Sequence, residues 1–294
     1  MNKRVAVSVV GGALLTAFSV LAQEAPRPAQ PAPGQSAPGQ PAPGQPAPGQ
    51  PAPGQNNSKP KSGPVGLYRN QPLAPTGPAP KLADGTPDLS GVWLGGGSNS
   101  TDIADARSLK PGDEVSMLPW AAELVKNRQS KEDPEANCLP SGVPRGSPYP
   151  WRIVQTPTHY FILFEGNIHS YRQIFMNAKH PDDPDPTWFG NSVGHWEGNT
   201  LVVDTIGYND KFWFDYKGHP HTEKLHTIER YTRTDMGHMS IEVTIDDPGA
   251  YNKPFTALGR ATLMPGTELL EYICQENNQD LPLLQGPARG PGGN

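Results

Sequence analysis

Between Tyr160 and Cys274 the apolar residues fall either in short continuous runs or at every second position, and each run stops at a turn-forming cluster. Both patterns belong to strands, because alternation buries one face of a pleated ladder and an unbroken run of strand length buries both. Residues 160–164 (Tyr-Phe-Ile-Leu-Phe) form such a run, and 170–175 follow a short polar break as a hairpin partner. Residues 192–197 and 200–206 flank Gly198-Asn199, a two-residue turn suited to positive φ. Residues 225–233 and 238–245 flank Asp235-Met236-Gly237, while 255–262 and 269–274 flank Met264-Pro265-Gly266. The clearest alternation sets Met239, Ile241, Val243 and Ile245 against Ser240, Glu242 and Thr244. One short helix is expected over 119–126, where Pro119 opens a modest amphipathic stretch. The pattern predicts an all-β fold, an antiparallel meander forming a closed or nearly closed calycin-like barrel. A two-sheet sandwich is the competing architecture.

The turn at Gly198-Asn199 sets a register. With Glu197 facing Thr200, His195 lies opposite Val202 and Val193 opposite Asp204, so His195 and Asp204 become diagonal neighbours on one face. The second hairpin admits two registers. A three-residue loop with Gly237 in the left-handed conformation pairs Arg230 with Glu242. It turns Glu223, Leu225, Thr227, Glu229 and Tyr231 toward the buried stripe, with two carboxylates among them. A four-residue loop sends His226 and Arg230 inward instead, since a one-residue slip exchanges the faces. Either register buries ionisable groups, which is costly unless they are paired or used.

Composition alters the picture at the two ends. Residues 1–22 have the make-up of a signal peptide: Lys3 and Arg4, an apolar run from 5 to 21, and small residues suited to cleavage after Ala22. The expected localisation is therefore exported, periplasmic or secreted. The run is short for a bilayer and no stop-transfer pattern follows, so no membrane span is expected. Residues 23–77 form a linker rich in Pro, Ala, Gly and Gln, with Pro-Ala-Pro-Gly-Gln repeated from Pro31 onward. Such a tract lacks ladder donors and apolar surface, and should act as a solvated spacer. Contact with cell-wall polymer through the repeat is its alternative use. The barrel-like domain is placed at 78–284, followed by a Gly/Pro-rich tail at 285–294. Loss of Lys3 and Arg4 takes the formal charge from −5 to about −7, and no basic stripe appears, so nucleic acid is not an expected partner. Cys138 and Cys274 are the only two cysteines. In an oxidising compartment a disulfide is the natural expectation, with two buried free thiols as the alternative.

Ionisable chemistry concentrates at 219–226, which holds His219, His221, Glu223 and His226. Imidazole titrates nearest neutrality and readily ligates metals. His219-x-His221 resembles half of the cupin metal motif, but Glu223 comes too soon and Glu229 too late for the carboxylate that motif needs. No metal and no cofactor are expected from this spacing. Nucleophilic hydrolysis lacks a Gly-x-Ser-x-Gly elbow, and Gly95-Gly96-Gly97 is followed by neither a P-loop nor a Rossmann spacing. Acid–base chemistry on a small molecule fits better, with His221 and His226 as the proton-handling pair and Glu223 and Asp204 orienting or tuning them. Arg145 is the candidate for binding an anionic or carbonyl group. Trp188, Trp196, Trp213 and Tyr231, beside Phe189, Phe212, Phe214 and Tyr216, are candidate ligand-lining aromatics.

Two resemblances bear on these residues. Asp88-Leu89-Ser90-Gly91-Val92-Trp93 resembles the Gly-x-Trp opening of lipocalin-type barrels, whose tryptophan packs across the closed end. More extensive is the set Cys138-Leu139-Pro140, Gly142-Val143-Pro144-Arg145, Pro186-Thr187-Trp188, residues 196–204 (Trp-Glu-Gly-Asn-Thr-Leu-Val-Val-Asp), residues 221–226 (His-Thr-Glu-Lys-Leu-His) and Cys274-Gln275-Glu276-Asn277-Asn278. It resembles a family of exported bacterial β-rich proteins, and implies export and a β-rich domain but supplies no reaction. The expected function is a small-molecule-binding barrel acting as a lyase, hydratase or isomerase on an apolar or aromatic compound. The alternatives are a non-catalytic carrier or sensor of lipocalin type and, below it, a metal-binding or envelope structural protein.

Overall fold

Nine strands in sequence order close into a barrel: β1 (Gly91–Gly95), β2 (Trp151–Gln155), β3 (His159–Phe164), β4 (Tyr171–Met176), β5 (Asn191–Glu197), β6 (Thr200–Ile206), β7 (His226–Arg233), β8 (His238–Asp246) and β9 (Phe255–Leu263). The computed structural model describes residues 73–97, 101–145, 149–166, 168, 170–276, 278, 286 and 288. Residues 1–22, expected as a signal peptide, lie outside the described residues, as do nearly all of the expected linker and most of the tail. One short helix, α1 (Pro119–Asn127), begins at the expected proline.

Seven strands fall where the apolar pattern places them, within a residue or two at each end. β1 and β2 complete the ring, with Trp93 facing Trp151 on one side and Leu263 on the other. Each of these two strands spans five residues. So short a segment shows barely one alternation. The expected strand over 269–274 does not form. Closure explains this, because β9 already pairs with β8 and β1 and offers no free edge. Residues 269–274 instead run over the outside, with Leu270 and Ile273 about half exposed. The Cys138–Cys274 disulfide holds them there, and Leu270 N–H donates to Glu165 at 2.8 Å.

The meander departs from pure antiparallel order once. β4 and β5 are parallel, with Ile174 facing Ser192 and Met176 facing Gly194. Residues 177–190 carry the chain back to the start of β5. Pro181, Pro184 and Pro186 fall within this return and cannot donate to a ladder, so it crosses as a loop.

The expected register of the first hairpin holds, and the second takes the three-residue-loop register of its two alternatives. His195 faces Val202 and Val193 faces Asp204 across the β5–β6 turn, where positive φ falls on Gly198. Arg230 faces Glu242, and Thr234 N–H donates to His238 O at 2.9 Å across a three-residue loop. Gly237 is not in the left-handed region. Its need for glycine is steric, since a Cβ there would run into the Pro75 carbonyl.

Alternation divides a lumen from an outer wall. Trp93, Ile153, Ile162, Ile174, Leu201, Tyr231 and Ile241 fill the lumen. Trp93 closes one end, fully buried, with Nε1 donating to Leu89 O at 3.0 Å and the Arg233 guanidinium 5.0 Å from its ring. Arg233 donates in turn to the carbonyls of Asp88 and Met236, which locks the end. Loops cover the other end. There Leu109 bridges Ala257, Tyr251 meets Phe255 and Tyr208 OH meets Thr227.

Candidate functional site

Toward the loop-covered end the lumen widens into a cavity of about 70 Å³, within an opening of about 520 Å³ that includes its mouth. Trp151, Ile162, Phe164, Ile241 and Val243 form apolar walls, and residues 95–97 and 142–145 form the rim. At Gly96, φ is +99°, and a Cβ would lie 2.9 Å from the Trp151 ring and 3.0 Å from Ile241. Only glycine lets the backbone cross the rim this closely.

One wall is polar. Arg172 on β4 and Glu229 on β7, each about 2% exposed, pair through two bonds: Nη1 to Oε2 at 2.9 Å and Nη2 to Oε1 at 2.5 Å. Arg172 also donates through Nε to Ser192 Oγ at 3.1 Å and through Nη2 to Thr205 Oγ1 at 2.8 Å. Tyr231 OH donates to Glu229 Oε2 at 2.6 Å. Removal from water disfavours charge on Arg172, but the adjacent Glu229 outweighs this and holds the guanidinium's pKa above its ordinary value. Burial, then the same carboxylate, pushes the Tyr231 phenol well above its usual range, and burial pushes the Tyr208 phenol up to about 12. The wall therefore presents one neutral ion pair and a protonated phenol to an apolar chamber.

Of the residues singled out in sequence, Tyr231 and Arg145 line this cavity. Most of Arg145 is already committed, leaving its buried Nε without a partner among the described residues. Its buried guanidinium bonds both Asp133 oxygens at 2.8 Å, meets Glu135 at 2.7 Å and lies 4.2 Å from the Tyr216 ring centre. Trp196 donates to Tyr160 OH at 3.1 Å, Trp213 lies under Arg128, and Trp188 packs against the core from the β4–β5 return. None of these three tryptophans lines the cavity.

The expected His221–His226 pair is not assembled. His221 is buried under the loops against Phe212 and Phe214, at ring-centre distances of 3.8 and 5.1 Å, and its Nε2 has no partner among the described residues. His226 is on the outer wall, where it meets Asp204 at 3.0 Å. Glu223 is exposed in the turn before β7, so one carboxylate, Glu229, faces the interior rather than two. His195 does not reach Asp204 and contacts Glu197 at 3.3 Å instead. His219 bonds Asp215 at 2.6 Å. Asp102, Asp215 and His219 place ligand-type atoms within 4.8 Å of one another. Lys217 already neutralises Asp102 at 2.5 Å, and the Ile103 and His219 amides occupy Asp215. That cluster is a structural staple for the loops.

Burial lowers the His221 pKa from its ordinary 6.5 to about 4. Between those values the unfolded chain binds a proton that the folded chain does not, so stability falls as pH drops through this window. A shift of that size corresponds to up to about 3 kcal/mol. Urea midpoints measured from pH 7 to pH 4.5 should therefore decline, and the His221→Gln variant should decline less. Equal slopes for the two proteins would remove His221 as the cause.

The wall residue missed in sequence is Arg172. Its signal was present, since it precedes Ile174 by two positions and thus shares the inward stripe of β4. The fold and cavity together define a closed nine-stranded barrel with a polar-walled lumen. No family model matches the chain, nor does any curated protein or solved structure.

Proposed function

We propose that this is an exported small-molecule-binding barrel of the lipocalin-like carrier or sensor kind, holding its ligand in the lumen against Arg172, Glu229 and Tyr231. The observation that carries the reading is the buried ion pair set in one wall of a largely apolar cavity, the usual make-up of a small-ligand site. The disulfide and the leader-like residues 1–22 support export. Four of the five Arg172 N–H groups have partners, leaving one on Nη1 without a partner among the described residues. Because Glu229 already balances the charge, the ligand that suits this wall is neutral and largely apolar with one acceptor such as a carbonyl. An acid–base reaction at this site would use Glu229 and Tyr231. The separation of His221 from His226 weighs against the histidine pair and places binding ahead of turnover.

Native mass spectrometry of protein purified without denaturation tests this. The expected result is a retained neutral, apolar carbonyl or comparable compound, bound at least tenfold more weakly by the Tyr231→Phe and Ile241→Trp variants. The tryptophan fills the chamber and the phenylalanine alters its polar wall. Retention unchanged in both variants would place the ligand elsewhere and overturn the reading.

A further inference from the structure

On the outer wall, apart from the lumen, three segments bring two imidazoles to one carboxylate. Asp204 near the end of β6 faces outward, His226 opens β7, and His180 comes from the β4–β5 return. Both histidine Nε2 atoms lie 3.0 Å from the same oxygen, Asp204 Oδ1. No lysine or arginine pairs with Asp204 among the described residues. The side chains of His180, His226 and Asp204 are 20, 35 and 36% exposed, so the group is reachable from solvent.

His180 Nδ1 lies 2.8 Å from Asn191 Oδ1 while its Nε2 faces Asp204 Oδ1, so both ring nitrogens meet acceptors. A neutral imidazole carries one N–H and can satisfy only one of them. A second ring proton meets both acceptors, and so does a divalent cation held between Nε2 and Asp204 Oδ1 while Nδ1–H donates to Asn191. A metal-bound histidine commonly shows this arrangement, with one nitrogen on the metal and the other oriented by a carbonyl or carboxylate.

We propose that His180, Asp204 and His226 form a divalent transition-metal site of the two-imidazole, one-carboxylate type, with Asn191 orienting His180. A tetrahedral ion about 2.1 Å from each donor holds those donors ~3.4 Å apart. Each observed 3.0 Å contact to Asp204 Oδ1 then opens by a few tenths of an ångström, and the two imidazoles, which reach that oxygen from separate segments, swing toward each other to close around the ion. Partial exposure leaves room for that rotation and for water at the remaining positions. Imidazole and carboxylate donors suit Zn²⁺, Co²⁺, Ni²⁺ and Fe²⁺ and disfavour Ca²⁺ and Mg²⁺. The site lies outside the 219–226 stretch apart from His226, so the spacing rule applied to that stretch does not describe it.

Titration of untagged, chelator-stripped full chain with Zn²⁺, followed by calorimetry, tests the site, with Co²⁺ and its visible absorption as a second probe. One ion per chain is expected. His226→Ala, His180→Ala and Asp204→Asn should each weaken binding at least tenfold, and Asn191→Ala about tenfold through the outer partner. His195→Ala, whose ring contacts Glu197 instead, should bind as the parent does. Unchanged thermal unfolding of the metal-free variants separates ligand loss from misfolding. Absence of stoichiometric Zn²⁺ and Co²⁺ binding overturns the proposal, as does affinity preserved in both Asp204→Asn and His226→Ala.

Discussion

Replacing Glu229 by alanine should destabilise the protein by about 3–5 kcal/mol, because it strands the Arg172 charge in the lumen. The carboxylate takes two bonds from the guanidinium and one from Tyr231, and water does not reach the pair freely at about 2% exposure. For a domain of this size the loss corresponds to a fall in Tm on the order of 10 °C. The double variant Arg172→Met/Glu229→Leu removes both charges and leaves an apolar wall, so it should recover most of the stability, since a buried pair is often replaceable by packed apolar side chains. Urea unfolding of the two variants at pH 7 checks the pair of expectations. A cost below about 1 kcal/mol for the single change would mean that solvent reaches Arg172 and that the wall is not the dry surface described.

Removal of the disulfide should produce an effect of similar size by a different route. Cys138 and Cys274 are separated by 136 residues, and opening a loop that long frees about 5 kcal/mol of chain entropy in the unfolded state. The Cys138→Ser/Cys274→Ser variant should therefore unfold at markedly lower denaturant. Its folded barrel should survive, because residues 269–274 belong to no ladder and the ring is closed by β9 on β1. Hydrogen exchange should show the loosening first around Leu270, whose amide bond to Glu165 is the neighbouring tie, while β7 and β8 stay protected. Loss of protection across β7 and β8 in folded protein would show that the disulfide supports the barrel itself.

These two expectations show which parts of the molecule were legible in its residues. The disulfide followed from two cysteines and an inferred compartment. The inward position of Glu229 followed from one of two registers, and the three-residue loop with its Arg230–Glu242 pairing selected that one. The partner of Glu229 was not legible. Arg172 is 57 residues away and meets it across the lumen, in contact with Ser192 and Thr205 from two further strands. The histidines show the same limit. The concentration of imidazoles between 219 and 226 suggested one cluster, yet His219 goes to Asp215, His221 to Phe212 and Phe214, and His226 to Asp204.

The sequence by itself determined seven of the strands, the register of the β5–β6 hairpin, a choice of two for the β7–β8 hairpin, the short helix and the two cysteines available to pair. Period-two alternation and turn chemistry act within about ten residues, and no distant partner is needed to express them. Tertiary structure alone decided that 269–274 would lie outside the ladder, that β4 and β5 would run parallel, and which ionisable groups would meet. Those outcomes depend on closing β1 against β9, which fixes the strands that face each other across the lumen and those left to share the outer wall.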